Sequence, residues 1–587
     1  MKKVENVEKQ KYNFNRYKSY SIVFGILILS FVLVFGGLIF RSKSHPDYPL
    51  VFTDANNRLM FITKSNNSKN DIASISNASI VYANNNTRYL LYTNNNALYL
   101  LDTTVGGAGV KISSNVLSYG FSLDDKYIYY IDNNNDFFIY GRNDGKKIKL
   151  GDKVNKVEIV KDNHLIYNQN GKLIYQEISG KPVVISDNYV TVEFNRDSKL
   201  ILYSVINEDL KDYYIYNIAN NDSQKVLEGI TKLYTKDNNF TKFIYTTPSN
   251  TDKDVSNALK DEYYYSDKSY HSYDYTDFTS GRVTKALYEA NQLLGKQIDF
   301  RNELRSYVKN YGKLGNDLYY KNNETISLIA ANINKLYYYD LKNQIYSYTT
   351  YAFENNVVDI SKYKDDDIEK FYKDFDAAKL NSMYFKSGNA NATMTYKNVT
   401  ANAKVDVRNN DYYLFVENNE LYNLYHSKIT NKSVKIVGEI DHNLISNKFA
   451  EDYSDGLLYF TSNDNKYNLN VVNEGKVRVL AEDVKPKYFA VSEGKDSIYY
   501  LKVTGDNICD LNLYNGIRTS KLADNVFSFM YINNDLIYVT KDYNALSNTS
   551  DLYRLDGNRL TFIYKDIADW YSPIKDDIED EQTEEDI

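Results

Sequence analysis

Cysteine is almost absent from this chain of 587 residues, and the one that occurs is Cys509. A single cysteine excludes a disulfide within the chain. It also excludes a lipoprotein anchor, which needs a cysteine directly after an N-terminal apolar run. Cys509 lies in a strand-like run and is interpreted as a buried, inert thiol.

Motifs of catalysis are missing as well. The sequence has no G-x-S-x-G nucleophile elbow, no G-x-x-x-x-G-K-[ST] phosphate loop and no H-E-x-x-H zinc helix. The run from Asp132 to Asp136 resembles part of a calcium loop but lacks the sixth-position glycine and the distal glutamate, so it is interpreted as a hairpin turn. We therefore predict no catalytic residue, no metal site and no cofactor.

Histidine is scarce and dispersed. Each histidine is predicted to be a turn or surface residue, because none lies near another in the sequence: His45, His164, His271, His426 and His442. Paired carboxylates for glycoside cleavage remain an open possibility, because sequence does not reveal which acids of a repeat protein converge.

A global excess of positive charge is also lacking. The net charge is −7, and the last twelve residues, 576–587, carry eight acids and no base. Without them the chain is close to neutral, so we predict no nucleic-acid partner. The acidic composition predicts that residues 568–587 form a disordered tail.

One long apolar run stands at the N-terminus. Residues 20–40 form twenty-one positions without a charge, and as a helix they would span roughly 31 Å, enough for a hydrocarbon core of about 30 Å. Lysine and arginine are concentrated in residues 1–19, which predicts a cytoplasmic N-terminus. Residues 41–50 would be a stalk, and the bulk of the chain would be extracellular, held by one membrane span. A cleaved signal peptide is the alternative, but its apolar core is usually about 7–15 residues long.

Short strand-like runs rich in tyrosine, separated by Asn, Asp and Gly turns, recur from residue 51 onward. The clearest are Arg88 to Asp102 and the runs beginning at Lys126, His164 and Lys199, and later ones begin at Tyr412, Leu457, Ser497 and Asp535. Their closing tyrosines lie 38, 37 and 36 residues apart in the first part and 41 and 38 apart in the second: Tyr92, Tyr130, Tyr167 and Tyr203, then Tyr459, Tyr500 and Tyr538. At strand positions these tyrosines are interpreted as core residues.

This period predicts an all-β fold, a β-propeller of four-stranded blades. Residues 51–247 would hold the first part of the repeats and residues 406–567 the second. About ten units are expected, more than one ring usually contains, so one large ring and two rings both remain open. A stack of β-sandwich domains is the weaker alternative, because a sandwich needs about 100 residues.

Residues 248–405 interrupt the period and are predicted to be an insertion with helices and some strands. One apolar stripe runs through residues 283–311, and a second predicted helix runs from Lys362 to Phe385. The insertion also contains a polar segment dense in tyrosine. Six tyrosines of this segment are the candidate contact residues: Tyr263, Tyr264, Tyr265, Tyr270, Tyr273 and Tyr275.

The recurring hairpins resemble those of bacterial membrane-anchored β-propeller repeat proteins, the TolB-type and related families of unknown function in low-G+C Gram-positive bacteria. The resemblance rests on K/D-x-[IL]-Y-Y runs followed by N-x-x-L-Y and covers most of residues 51–567. It implies a propeller fold and a surface location, and it supplies no catalytic residue.

Three function classes follow. The first is a binding or scaffold module of the cell envelope without enzymatic activity, whose partner would be an envelope protein or a polysaccharide. The second is a propeller hydrolase or lyase that acts on cell-wall or external polymers. The third is a sensor, although residues 1–19 leave no room for a cytoplasmic signalling domain.

Overall fold

The computed structural model describes most of the chain between residues 49 and 571. The described ranges are 49–63, 70–74, 79–83, 88–249, 259–260, 279–282, 284–311, 315–353, 358–359, 362–363, 367–377, 379–397, 399, 402–408, 411–418, 421–430, 433–434, 438–444, 452–463, 466–505, 508–533, 536–557 and 559–571. Strands dominate these ranges, so the all-β prediction is confirmed. No helix in them has both the length and the apolar character to cross a membrane. The predicted anchor, residues 20–40, lies outside them.

The first fifteen strands lie before residue 188. They are β1 (Leu50–Asp54), β2 (Arg58–Ile62), β3 (Asn70–Ser74), β4 (Ile80–Tyr82), β5 (Tyr89–Asn94), β6 (Ala97–Asp102), β7 (Val110–Ser113), β8 (Val116–Phe121), β9 (Tyr127–Asp132), β10 (Phe137–Gly141), β11 (Lys147–Gly151), β12 (Val154–Lys161), β13 (His164–Gln169), β14 (Lys172–Glu177) and β15 (Val183–Ser186).

The middle of the chain holds eighteen strands and two helices among the described residues. The strands are β16 (Val192–Phe194), β17 (Leu200–Asn207), β18 (Leu210–Asn217), β19 (Asp222–Ile230), β20 (Lys232–Lys236), β21 (Lys242–Pro248), β22 (Leu259–Lys260), β23 (Asn316–Asn322), β24 (Thr325–Asp340), β25 (Ile345–Phe353), β26 (Val358–Asp359), β27 (Lys379–Ser387), β28 (Thr393–Tyr396), β29 (Lys404–Arg408), β30 (Asp411–Asn418), β31 (Leu421–Thr430), β32 (Ser433–Val434) and β33 (Gly438–Leu444). The helices are α1 (Lys285–Tyr311) and α2 (Ile368–Ala377).

The last part of the chain contains the remaining strands. They are β34 (Asp452–Tyr453), β35 (Gly456–Asn463), β36 (Lys466–Asn473), β37 (Lys476–Ala481), β38 (Val484–Val491), β39 (Ile498–Gly505), β40 (Ile508–Tyr514), β41 (Thr519–Asn533), β42 (Leu536–Asn544), β43 (Thr549–Asp556) and β44 (Arg559–Tyr571).

The chain divides into two compact units, one of residues 1–188 with 446–587 and the other of residues 189–445. In both, consecutive strands form antiparallel meanders of four. The first unit contains the meanders β4–β7, β8–β11 and β12–β15, and the second contains β16–β19. This is the strand arrangement of a propeller blade. The strands of these meanders correspond to the apolar runs of the sequence, and the Asn, Asp and Gly residues between the runs form the turns, as predicted.

Three long strands each belong to two successive meanders. The first half of β24 pairs with β23 and its second half with β25, and β41 is divided in the same way between β40 and β42. Strand β44 pairs first with β43 and then with β1. The break in each strand has a residue in the left-handed region, with φ of 53°, 52° and 55° at Asn332, Asn525 and Asp566.

An aspartate on the neighbouring strand holds two of these breaks, at Asn332 and Asp566, and a similar one at Gly229 in β19. Its Oδ1 accepts the backbone N–H of the residue with positive φ, at distances of 2.9 Å for Asp212 and Gly229, 3.0 Å for Asp317 and Asn332 and 3.1 Å for Asp551 and Asp566. Burial by itself would raise the pKa of Asp212, but the Lys225 ammonium and the Gly229 N–H hold it below its usual value. At each of these breaks the backbone N–H is thus satisfied by a carboxylate, in a hydrogen bond that is buried at Asn332 and partly buried at Gly229 and Asp566.

The first three described strands complete the sheet that contains the last described strand, β44. Val51 is paired with Tyr571, Phe52 with Trp570 and Thr53 with Asp569, so the second half of β44 and strands β1 to β3 form one meander of four. Apolar side chains of both termini share one core cluster there, which includes Phe52, Leu552 and Ile567. The two ends of the first unit are therefore joined by backbone hydrogen bonds and by packing.

The repeat tyrosines are core residues, as predicted. None of the seven is more than 4% exposed: Tyr92, Tyr130, Tyr167, Tyr203, Tyr459, Tyr500 and Tyr538. Aromatic partners on the adjacent strand contact several of them, as in the stacked pair Tyr203 and Tyr214 with ring centroids 5.3 Å apart. Tyrosine suits strands that are covered on both faces, because its ring is large, flat and apolar and only its hydroxyl needs a polar partner.

The two helices pack on each other. Phe300, Leu304 and Val308 of α1 form one cluster with Phe371 and Phe375 of α2. The predicted stripe of α1 is thus buried in its second half, whereas Leu287 in its first half is 48% exposed. The prediction of a helix from Lys362 to Phe385 is wrong at its C-terminal end. Helix α2 ends at Ala377, and Lys379 begins β27, which pairs with β25 over nine residues, because sheet pairing there outweighs the helical pattern.

Candidate functional site

The six tyrosines predicted as contact residues all lie outside the described residues: Tyr263, Tyr264, Tyr265, Tyr270, Tyr273 and Tyr275. Their role stays a prediction. Two other places in the described residues combine chemically active side chains, a buried histidine–aspartate pair in the second unit and an aromatic surface patch in the first.

The buried pair joins two neighbouring strands. His426 on β31 lies opposite Tyr413 on β30, and its Nε2 is 2.7 Å from Oδ1 of Asp411. Both side chains are only 9% exposed. The Tyr413 ring lies 5.2 Å from the imidazole ring, centroid to centroid. The pair is therefore enclosed in the sheet.

This placement corrects the prediction that every histidine is a turn or surface residue. His426 is buried, and His164 and His442 lie in strands β13 and β33. The physical reason is that Asp411 satisfies the imidazole, so its burial leaves no polar atom unpaired on that side. A cross-strand partner fifteen residues away gives no local pattern, which is why the sequence did not reveal the pair.

Charged groups also lie on the neighbouring strand β29, where Arg408 is opposite Asp411. Asp406 and Arg408 on β29 form an ion pair of 2.8 Å, and burial raises the pKa of nearby Tyr338 to about 12, with smaller contributions from the carboxylates of Asp340 and Asp406. A carboxylate that orients an imidazole is one part of a general-base device. The low exposure of this pair favours a structural role, because a general base must reach its substrate.

Two predictions about single residues are confirmed. Cys509 is buried at 1% exposure, and burial raises the pKa of its thiol, with Asp510 acting in the same direction and Lys485 opposing it. Asp132 is a turn residue, since its Oδ1 accepts the backbone N–H groups of Asn134 and Asp136 at 2.9 and 3.0 Å. No group of three or more His, Cys, Asp or Glu side chains in the described ranges could hold a metal ion.

The aromatic patch lies where two hairpins of the first unit reach beyond their sheet. The last four residues of β39, Lys502 to Gly505, are all exposed, and the last four of β42 alternate between half-buried and exposed. The partners Val484 and Lys502, Cys509 and Val526, and Val526 and Lys541 place both hairpin tips at one end of the sheet. The hairpin-tip patch consists of Lys485, Tyr488, Val503, Ile508, Phe527, Tyr543 and Leu546.

At its centre lies a parallel stack of two rings. Phe527 and Tyr543 have ring centroids 4.1 Å apart and planes only 6° apart. The Lys485 ammonium lies 5.1 Å from the Phe527 ring and 4.8 Å from the Tyr488 ring. The Tyr543 hydroxyl donates to Oδ1 of Asn548 at 3.0 Å, which fixes the ring. Lys485 thus contacts the Phe527 ring of the stack, and Asn548 holds the Tyr543 ring by its hydroxyl.

Apolar side chains extend the patch. Val503 is 41% exposed, Ile508 46% and Leu546 100%. Other hairpins of the same unit turn through Asn95, Asn135 and Asn170, each with positive φ. The hairpin at Leu546 also has an asparagine with positive φ, Asn548, and differs in placing a fully exposed leucine two residues before it. Exposed apolar side chains at adjacent tips mark an interaction surface more often than chance exposure does.

The patch was not predicted from the sequence, because the residue types in it are all common in β-strands. One feature of the sequence could have indicated it: the turns near residues 505 and 546 lack the asparagine runs of earlier hairpins. The contacts between Lys485 and Phe527 join residues of two different strands, which only the fold brings together.

The described strands and patch define an all-β repeat protein with exposed aliphatic side chains beside half-buried aromatic rings. No family model and no curated protein matches the chain. Among solved structures, the tricorn protease aligns with 9% identity and a TM-score of 0.24 over 89% of this chain and 47% of that one. The β-propeller domain of the Trilobed protease from Pyrococcus furiosus aligns with 9% identity and a TM-score of 0.22, over 77% of this chain and 98% of that domain. TolB from Acinetobacter baumannii aligns with 12% identity and a TM-score of 0.21, over 34% of this chain and 58% of that one. At these identities and TM-scores, the likeness gives neither a family nor a function.

Proposed function

We propose that the protein is a membrane-anchored extracellular β-propeller that binds a component of the cell envelope and has no enzymatic activity of its own. The observation that carries the binding role is the hairpin-tip patch, where the exposed side chains of Val503, Ile508 and Leu546 lie at the same end of the sheet as the stack of Phe527 on Tyr543. Such a surface costs solvation free energy in a monomer unless something covers it.

The propeller architecture is supported by the strand order. Meanders of four antiparallel strands follow one another, and β1 to β3 share one sheet with the C-terminal strand β44. In a propeller, radial repetition leaves few exposed sheet edges, and the pairing of the first described strand with the last fits that architecture. Anchoring and orientation are supported by the apolar run 20–40 and the basic residues before it.

Topology is tested on intact cells that produce the full chain. Added protease should remove the described residues from the cell surface and leave the N-terminal segment with the membrane. A species released into the medium that begins near residue 41 would contradict the retained anchor. Complete protection of the chain in intact cells, with degradation only after lysis, would contradict the extracellular location.

Binding is tested by placing a photoreactive benzophenone side chain at Leu546, which is 100% exposed, or at Val105, which is 81% exposed and lies away from the patch. We expect covalent adducts with envelope material from position 546 and much fewer from position 105. Equal adduct yields from the two positions, or none from position 546, would contradict a binding role for the patch.

A further inference from the structure

We propose that the hairpin-tip patch binds an acidic carbohydrate. This inference rests on the proposed binding function and specifies its ligand. The patch combines three features that such a ligand needs, namely aromatic rings, a lysine that has no carboxylate ion-pair partner among the described residues, and side-chain amides at the rim. Each feature is provided by different residues, and together they distinguish a carbohydrate site from a purely apolar contact.

The aromatic faces suit sugar rings. The stack of Phe527 on Tyr543 is fixed by ring contact and by the bond from the Tyr543 hydroxyl to Asn548. A pyranose ring presents a face of C–H bonds, whose partial positive charge complements the negative face of an aromatic ring. A fixed ring also loses little side-chain entropy when a ligand binds.

The cation is Lys485. Of the other lysines at this end of the sheet, Lys541 is neutralised by Asp524 at 2.9 Å and Lys521 by Asp510 at 3.4 Å. Lys502 is exposed on β39 opposite Val484 and adds positive charge beside Lys485. In the described part of the chain no carboxylate forms an ion pair with Lys485, whose ammonium instead lies against the Phe527 ring. A carboxylate or phosphate on the ligand would complete this site with a charge-assisted hydrogen bond.

Amide groups stand at the rim beside Leu546. Asn544 uses its Oδ1 to accept the Leu546 N–H at 3.0 Å, and Asn548 uses its Oδ1 to accept the Tyr543 hydroxyl. Both bonds occupy the oxygen, so the Nδ2 groups are oriented by the turn and are suited to donate to sugar hydroxyls. Sites for small ligands typically combine an aromatic or apolar surface with a small number of oriented polar groups.

The test measures binding of the purified full chain to immobilised polysaccharides. Polygalacturonate supplies carboxylates, phosphorylated dextran supplies phosphates, and unmodified dextran is the neutral control. We expect at least one acidic polymer to bind and neutral dextran not to bind. The two acidic polymers distinguish a carboxylate ligand from a phosphate ligand.

Three variants locate the site. Lys485→Gln should weaken binding about tenfold or more, because hydrogen bonds to charged groups are worth about 1.5–3 kcal/mol. Leu546→Asp, at a fully exposed position that cannot affect the core, should weaken it as well by repelling the anion. Lys521→Gln removes an already paired charge at the same end and should change affinity by no more than about twofold.

The outcomes separate this inference from the function on which it rests. Failure of both acidic polymers to bind would overturn the carbohydrate proposal, and so would binding that Lys485→Gln and Leu546→Asp leave unchanged. If position 546 nevertheless forms adducts that protease degrades and periodate does not, the binding function stands and its partner is a protein. If position 546 forms no adducts, the binding function itself fails.

Discussion

The repeat tyrosines offer a matched test of how this core is held together. Tyr130 and Tyr167 occupy equivalent positions in successive meanders and are buried at 0% and 1% exposure. The Tyr167 hydroxyl donates to Oε1 of Gln176 at 2.8 Å, whereas the buried Tyr130 hydroxyl has no hydrogen-bond partner among the described residues. Replacing each by phenylalanine removes one oxygen atom and keeps the ring.

The two replacements should change the free energy of unfolding differently: one should lower it, and the other should leave it constant or raise it. Tyr167→Phe leaves the buried Oε1 of Gln176 unsatisfied, which costs about 1–3 kcal/mol of the free energy of unfolding. Tyr130→Phe removes a polar atom that was buried without compensation, so stability should stay constant or rise by up to about 1 kcal/mol. Packing changes little in either variant, because both rings keep their neighbours.

Urea unfolding of the purified full chain, followed by circular dichroism, measures the difference. We expect the unfolding midpoint of Tyr167→Phe to fall and that of Tyr130→Phe to remain or rise, with unchanged dependence on urea. Equal losses in both variants would refute the reasoning, since they would mean that the hydroxyl of Tyr130 contributes as much as the bonded hydroxyl of Tyr167.

Two further predictions concern titratable core groups. His426→Phe should destabilise the second unit by about 3 kcal/mol, because it leaves the Asp411 carboxylate buried and unpaired. In thermal melts the double variant His426→Phe with Asp411→Leu should recover part of that loss. A double variant no more stable than the single variant would contradict this prediction. Burial raises the pKa of Tyr92, Tyr348 and Tyr412 to about 12, above the usual value of about 10. The stability that these neutral hydroxyls provide is complete below pH 10 and is lost as the pH rises toward 12. Absorbance at 295 nm should therefore report tyrosine ionisation together with unfolding between pH 10 and 12. Ionisation of these tyrosines near pH 10 without unfolding would contradict the burial argument.

The sequence by itself determined the repeat and its local structure. Apolar runs of four to eight residues between Asn, Asp and Gly turns specify antiparallel hairpins through local backbone preferences, so the strands around Tyr92, Tyr130 and Tyr167 and the burial of those tyrosines could be predicted. The stripe of helix α1 was equally local, because side chains three and four positions apart share a helix face.

Only the tertiary structure decided which distant residues meet. The pairing of Val51 with Tyr571 and the contact between Lys485 and Phe527 join residues far apart in the sequence, and no local preference encodes such contacts. The end of helix α2 at Ala377 was decided in the same way, because β27 gains hydrogen bonds along β25 that an isolated helix could not match. Histidine burial depended on its partner, since His426 can leave water only where Asp411 satisfies it.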